Sequence, residues 1–287
     1  MPVPLTLPIV SISPYLPSCA EQYSDADRAK VAEHMHRACR DIGFFYLRVD
    51  DYLGEHEMRS VLERGREFFL QATKDEKAEI GLVQGDGVRG YQKLKQNITM
   101  GKADHHEGLD FYAPSPYPDG ESRDETGQLK PLGHANQWPK KPTDFRPEME
   151  EWIAKMKVLG MIVMKAMADG LGMEDDEWEE LSRMVQDTFW VMRVIGYPPL
   201  PQSAEGVSCG AHKDYGCLTS PTFRVSLPFF YEPAFTAQVE PLEAAKRKIR
   251  EEGWIMGRKG KDYEGVRYGE FLLNKVAGNF VKSAQGV

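Results

Sequence analysis

The sequence is poor in cysteine, and its cysteines follow no pattern typical of a crosslinked or metal-bound domain. The four residues, Cys19, Cys39, Cys209 and Cys217, include no C-x-x-C pair and outline no disulfide framework. This scarcity argues against a secreted, disulfide-stabilised protein. We therefore expect a reducing location, which for this chain means the cytoplasm.

Long apolar runs and an excess of basic residues are also missing. No stretch approaches the roughly twenty apolar residues that a membrane span needs. The start of the chain is apolar but broken by proline, and no basic residue precedes Arg28, unlike a signal peptide. With 36 Lys and Arg against 44 Asp and Glu, the net charge is -8. We predict that neither a membrane nor a nucleic acid is a partner, because phosphate binding needs clustered positive charge.

Apolar residues make up 41% of the 287 positions, which is enough to form the hydrophobic core of one large folded unit. Short β-branched runs predict strands at 7–12 and 44–49, and Ser24 with Asp27 marks the start of a helix that ends at Gly43. Helical periodicity predicts further helices at 55–71, 148–171, 175–185, 243–252 and 268–280. Residues 113–147 are rich in proline, glycine and charge, and predict a long loop.

The helix at 148–171 carries the clearest apolar stripe in the chain. Its members, at helical spacing, are Trp152, Met156, Leu159, Val163 and Met167. A stripe of this kind indicates packing against a sheet rather than a cofactor site.

The segment G-A-H-K-D-Y-G-C-L-T at 210–219 carries the main chemical signal. In a strand, His212 and Asp214 project to the same face, where an imidazole and a carboxylate can hold a divalent metal ion. A solvated strand or loop is the alternative interpretation. Cys209 and Cys217 flank the pair and suggest zinc, but their odd offsets place them on the other face of an unbroken strand.

Four strings together extend this signal: C-R-D-I-G-F-F-Y at 39–46, F-W-V-M-R-V-I-G-Y-P-P at 189–199, H-K-D-Y-G-C-L-T at 212–219 and R-V-S-L-P-F-F-Y at 224–231. The chain resembles the non-haem Fe(II) and 2-oxoglutarate-dependent dioxygenases of the isopenicillin N synthase-like family over most of its length. The resemblance implies an α+β fold, a distorted double-stranded β-helix (jelly roll) with flanking helices. It also implies three regions: a dioxygenase-type amino-terminal part at 1–120, a loop with supporting helices at 121–187, and the oxygenase core with a final helix at 188–287.

The same resemblance implies roles for five residues. His212 and Asp214 would bind Fe(II). Arg224 and Ser226, which share a strand face at i and i+2, would bind the far carboxylate of 2-oxoglutarate, and Tyr197 would touch the same co-substrate. Relatives often carry Asn two residues before that tyrosine, where this chain has Ile195.

The implied reaction is the oxidation of a small organic molecule by O2. Hydroxylation, desaturation and ring closure are all outcomes that the family allows. Oxidative decarboxylation of 2-oxoglutarate to succinate and carbon dioxide accompanies it. An oxidase in the manner of isopenicillin N synthase is a variant of the same hypothesis.

In one respect the chain departs from the family pattern. The family's third iron ligand is a second His placed several dozen residues after the H-x-D, but His212 is the last of seven histidines and only residues 215–223 separate Asp214 from Arg224. The jelly roll is therefore predicted to be incomplete. His105 and His106 are adjacent, so at most one of them could face the pocket and substitute for the lost ligand; two polar residues near a strand end are the alternative.

Two other hypotheses stay open beside the oxygenase. The first is a catalytically inactive truncated relative, at most a binding protein, which the missing His favours. The second is a scaffold that self-associates through the unpaired strand edges of an incomplete barrel.

Overall fold

The computed structural model describes residues 6–96, 98–99, 102–118, 122–199, 223–253 and 265–275. In these ranges, none of the helices combines the length and the apolar character that crossing a bilayer requires. His212, Asp214, Cys209 and Cys217 lie outside the described residues, as does the end of the helix predicted at 268–280.

The amino-terminal part packs one helix beside two short parallel strands. Strand β1 (Ile9–Ser11) pairs with β2 (Tyr46–Arg48), and helix α1 (Asp25–Asp41) connects them. Ser24 and Asp27 form the predicted reciprocal cap, in which each side chain accepts a hydrogen bond from the other residue's backbone N–H. Gly43, at φ +86°, follows the helix in the left-handed conformation that glycine adopts most readily.

The central part is helical, and three of its four helices were predicted at nearly the same bounds, whereas the short helix at 74–79 was not predicted. Its helices are α2 (Glu55–Gln71), α3 (Lys74–Glu79), α4 (Phe145–Gly170) and α5 (Asp175–Gln186). The loop predicted at 113–147 ends earlier than expected, because α4 begins at Phe145; before that residue its described part contains no helix and one isolated bridge between Arg123 and Leu129.

The packing of α4 corrects the predicted stripe. Its amino-terminal half buries Phe145, Met149 and Ile153 in the cluster beneath the main sheet. Leu159, Val163 and Met167, members of the stripe, instead pack in a second cluster with residues of β1 and α1. The single predicted stripe was incomplete, because this one long helix contributes side chains to two separate hydrophobic clusters.

The main sheet is antiparallel and is organised around one ten-residue strand. The remaining strands are β3 (Gly90–Gln92), β4 (Ile98–Thr99), β5 (Lys102–Ala103), β6 (Glu107–Tyr112), β7 (Thr188–Tyr197), β8 (Arg224–Ser226), β9 (Phe229–Ala234), β10 (Gln238–Val239) and β11 (Val266–Arg267). In the five-stranded sheet β7 pairs with β6 along one edge, and along the other it pairs with β9 and then β8; β3 extends the sheet beyond β6. Helix α6 (Glu243–Glu251) and a helical segment at 268–275 follow. The described strands form an open sheet rather than a closed barrel.

The two faces of this sheet differ in chemistry. Leu109, Met192 and Val194 are fully buried on the face that packs against α2 and α4. Gly65 allows the close approach of α2, because a Cβ atom there would lie 2.8 Å from Cγ1 of Val194. The opposite face, called the polar face below, carries several polar and charged side chains beside apolar ones such as Ile195.

A buried ion pair anchors the long loop to the sheet. Asp86 and Arg89 have side chains that are 0% and 1% exposed, and Oδ1 of Asp86 accepts from Nη1 of Arg89 at 2.9 Å. The guanidinium also donates to the carbonyl of Ala113 at 2.7 Å, and the carboxylate accepts from the backbone N–H of His134 at 2.8 Å. The first residue of the loop and a point within it, at His134, are therefore held by groups that water does not reach.

Asp86→Asn should destabilise the protein strongly, because it leaves the Arg89 charge buried without a counter-charge. Breaking a buried pair in this way costs about 3–5 kcal/mol of the free energy of unfolding. Urea unfolding followed by circular dichroism measures the change. Glu150→Gln is the control, since it breaks the half-exposed pair with Arg146 and should cost about 0.5 kcal/mol or less. Equal effects of the two substitutions would show that the Asp86–Arg89 pair does not hold the loop.

Candidate functional site

The structure brings together the three residues predicted to bind the co-substrate. In the pairing of β7 with β8, Tyr197 lies opposite Arg224 and Ile195 lies opposite Ser226. Side chains at paired positions and at i, i+2 positions share a face, so Tyr197, Arg224 and Ser226 all lie on the polar face of the sheet. The Arg224 guanidinium carbon is 3.9 Å from the centroid of the Tyr197 ring, a cation–π contact that holds the guanidinium against the ring.

The Arg224 guanidinium is partly buried, and its buried edge is without hydrogen-bond partners among the described residues. Its Nε and Nη2 atoms are shielded from solvent, and no described residue accepts a hydrogen bond from either. These two atoms form one edge of the guanidinium, where two parallel N–H groups match the two oxygens of a carboxylate. Since a buried polar group without a partner is costly, this edge fits a carboxylate-bearing ligand and gives it a bidentate position.

His106 lies next to this pair. It precedes β6, and the pairing of Glu107 with Gly196 places it across from Tyr197, with ring centroids 5.8 Å apart. Both His105 and His106 are buried, at 9% and 4% exposure. The strand parity makes His106, and not His105, the histidine that reaches the polar face. Its role as a substitute iron ligand stays a prediction.

A row of four paired positions, one on each of four neighbouring strands, crosses the polar face beside Tyr197 and Arg224. Gln92 pairs with Gly108, Gly108 with Ile195, and Ile195 with Ser226. Ile195 is 2% exposed, so the position where relatives often carry Asn is occupied here by a buried apolar side chain. Gly108 has no side chain, and Nη2 of Arg193 and Oδ1 of Asp110 lie 3.6 and 3.7 Å from where its Cβ atom would be.

A third group on this face was not identified from the sequence. Oδ1 of Asp110 accepts from Nε of Arg193 at 2.8 Å, and Oδ2 accepts from Nε2 of Gln92 at 2.7 Å. Burial raises the pKa of Asp110 above its ordinary value, and the Arg193 charge opposes that shift. The sequence contained one indication of this ion pair. Arg193 interrupts the apolar run of β7, and a charged side chain in a buried strand needs a partner of opposite charge.

The predicted metal ligands cannot be placed. Within the described ranges, no group of three or more His, Cys, Asp or Glu side chains is arranged to hold a metal ion. His212 and Asp214 lie outside these ranges, as do the cysteines of the zinc alternative. The Fe(II) pair and the roles of Tyr197, Arg224 and Ser226 therefore stay predictions.

Comparison with solved structures shows the fold. The structure of a full-length Neurospora crassa protein in complex with alpha-KG and thymine superposes with a TM-score of 0.73, at 17% identity over 97% of this chain and 98% of that one. A putative 2OG-Fe(II) oxygenase family protein from Caulobacter crescentus gives 0.70, at 18% identity over 95% and 98%. The predicted fold, a jelly roll with flanking helices, is confirmed, although the described sheet is not closed.

Comparison of the amino-acid sequence with those of known proteins agrees with the structural comparison. Residues 7–141 match the family model described as the N-terminal region of non-haem dioxygenases in morphine synthesis. Leucoanthocyanidin dioxygenase of Perilla frutescens is 25% identical over 80% of this chain and 62% of its own length. Homoarginine-6-hydroxylases of Arabidopsis thaliana and Oryza sativa are each 31% identical over 96% of this chain, and the match covers 89% and 98% of their own lengths.

The alignments also show that the chain is shorter than these relatives. The alignment with the Arabidopsis hydroxylase spans 333 positions, whereas the chain has 287 residues, so at least 46 positions (333 minus 287) of that relative have no counterpart here. This difference agrees with the predicted loss of an internal segment. By similarity over almost its whole length, the chain belongs to the non-haem Fe(II)/2-oxoglutarate-dependent dioxygenases, oxidoreductases that oxidise small organic molecules with O2 and use Fe(II) as cofactor and 2-oxoglutarate as co-substrate.

Proposed function

We propose that this chain is a hydroxylase that binds 2-oxoglutarate through Arg224, Ser226 and Tyr197 and Fe(II) through His212 and Asp214. The observation that carries the first half is the buried Nε–Nη2 edge of Arg224, which has no hydrogen-bond acceptor among the described residues. A carboxylate is the natural partner of such an edge. The second half rests on the H-x-D spacing in the sequence and on the family.

Each residue of the co-substrate position has a distinct task. Arg224 binds one carboxylate of 2-oxoglutarate and neutralises its charge. Tyr197 packs against the guanidinium and fixes its plane, while the hydroxyl of Ser226, two residues along the strand, donates a further hydrogen bond. When bound, Fe(II) and 2-oxoglutarate together supply the O2 activation needed to remove hydrogen from an unactivated carbon.

The relatives suggest which substrate to test first. Four proteins that align with 96% of this chain at 31% identity are named homoarginine-6-hydroxylases. We propose L-homoarginine as the first candidate substrate. Hydroxylation, rather than desaturation or ring closure, is the reaction that these names favour.

The inactive-relative hypothesis rests on a specific observation, the absence of any histidine after His212. The matches to proteins named as hydroxylases and dioxygenases favour the enzyme instead. Iron binding separates the two hypotheses, because an inactive relative has no need to hold the metal. The three-region division at 1–120, 121–187 and 188–287 stays a prediction, as does self-association through strand edges.

Arg224→Gln should weaken the binding of 2-oxoglutarate about thirtyfold or more, because the loss of one partner of a buried, hydrogen-bonded charge pair costs about 2 kcal/mol or more. Arg224→Lys should fall between this variant and wild type, since it keeps the charge but not the two-pronged geometry. Isothermal titration calorimetry with 2-oxoglutarate and Fe(II), without oxygen, measures the affinities. Arg48→Gln, which changes an exposed arginine of β2, is the control. Wild-type affinity in Arg224→Gln would exclude the proposed co-substrate site.

His212→Ala and Asp214→Ala should each remove most of the iron that wild type binds, because a site short of protein ligands tolerates no further loss. Iron is measured by inductively coupled plasma mass spectrometry after anaerobic loading and desalting. His34→Ala, at an exposed position of α1, controls for nonspecific loss. If wild type retains no iron, or if the two variants retain as much as wild type, the metal assignment is wrong.

A further inference from the structure

A second unpartnered group lies on the polar face, away from Arg224. Gln92, on β3, is 8% exposed, and its Oε1 atom is shielded from solvent with no hydrogen-bond donor among the described residues. A buried amide oxygen in this state costs about 1–3 kcal/mol relative to a bonded one. The rows of the sheet place Gln92 and Ser226 on the same face, at opposite ends of one row.

The neighbours of Gln92 determine which of its side-chain atoms still needs a hydrogen-bond partner. Its Nε2 donates to Oδ2 of Asp110 at 2.7 Å, and Asp110 is in turn paired with Arg193 at 2.8 Å. Because a carboxylate paired with a guanidinium only accepts hydrogen bonds, the amide cannot turn its oxygen toward Asp110 without repulsion. The amide is therefore fixed with Oε1 pointing away from Asp110, where it can accept a hydrogen bond that no described residue donates.

We propose that Gln92 is a substrate-binding residue that accepts a hydrogen bond from a nitrogen-bearing group of the substrate, such as a guanidinium or an amidinium. Arg193 neutralises the charge of Asp110 beside it, so the choice of a nitrogen donor follows from the proposed substrate L-homoarginine, whose side chain ends in a guanidinium. This inference rests on the proposed function, because it takes the face shared with Arg224 and Ser226 to be the active-site face.

The spacing of the sheet separates the two ends of this site. Gln92 and Ser226 are three strands apart, about 14 Å at the usual strand spacing. Arg224 and Ser226 would hold the co-substrate at one end, and Gln92 would hold the substrate nitrogen at the other. The carbon chain of a substrate would cross the row beside the Asp110–Arg193 pair, whose side chains lie 3.7 and 3.6 Å from where a Cβ atom of Gly108 would be.

Calorimetry with L-homoarginine tests the inference, and 2-aminooctanoate, which has a similar chain without nitrogen at its end, is the comparison ligand. Protein loaded anaerobically with Fe(II) and 2-oxoglutarate is titrated with each. Wild type should bind L-homoarginine at least tenfold more tightly. Gln92→Met should lose about tenfold in affinity for L-homoarginine, as expected for one buried hydrogen bond, while its affinity for 2-oxoglutarate stays unchanged. Gln71→Met, at an exposed position of α2, is the matched control.

Two results would overturn the inference. One is an unchanged affinity of Gln92→Met for L-homoarginine. The other is a wild-type protein that binds neither ligand or binds L-homoarginine no more tightly than 2-aminooctanoate. This second comparison uses the wild-type protein alone, so it does not depend on whether a variant folds. Either result with 2-oxoglutarate binding intact leaves the proposed co-substrate and metal sites standing, although the second result also removes L-homoarginine as the candidate substrate. Loss of 2-oxoglutarate binding in wild type contradicts the proposed function itself.

Discussion

The position of every residue on the polar face depends on the register of β7. Along this strand Met192, Val194 and Gly196 face the helices, while Arg193, Ile195 and Tyr197 face the other way. A shift of one residue would exchange the two sets, placing a guanidinium in the apolar core and valine on the polar face. The buried contacts with α2 and α4 thus set the register, and the register in turn presents the functional side chains.

Charges on the polar face fall into two kinds. Asp110 and Arg193 neutralise each other across neighbouring strands, so their pairing serves the sheet as well as the site. Arg224 has its ring contact with Tyr197 but an edge that no described residue occupies. The unpaired edge destabilises the free protein, and a bound carboxylate would remove this destabilisation by accepting the two hydrogen bonds. A buried polar site with unsatisfied hydrogen-bond donors is therefore better explained by ligand binding than by folding stability alone.

The sequence predicted features that depend on local spacing and missed those that depend on register. The bounds of α2, the cap at Ser24 and the shared face of Arg224 and Ser226 all follow from neighbours within a few residues. The links between Gln92, Asp110 and Arg193 join three strands from distant parts of the chain, and no local pattern specifies which positions meet. The division of α4 between two cores was missed for the same reason. His212 and Asp214 remain predictions from local spacing.

The central claim is that the face formed by β7 and β8 holds the dicarboxylate co-substrate. A crystal structure of the protein grown without oxygen, with Fe(II) and 2-oxoglutarate, tests it most directly. The account predicts one carboxylate of 2-oxoglutarate with its oxygens about 2.7–2.9 Å from Nε and Nη2 of Arg224, as in other charge-assisted pairs. Electron density for 2-oxoglutarate elsewhere, or an Arg224 whose Nε–Nη2 edge is satisfied by the protein itself, would contradict it.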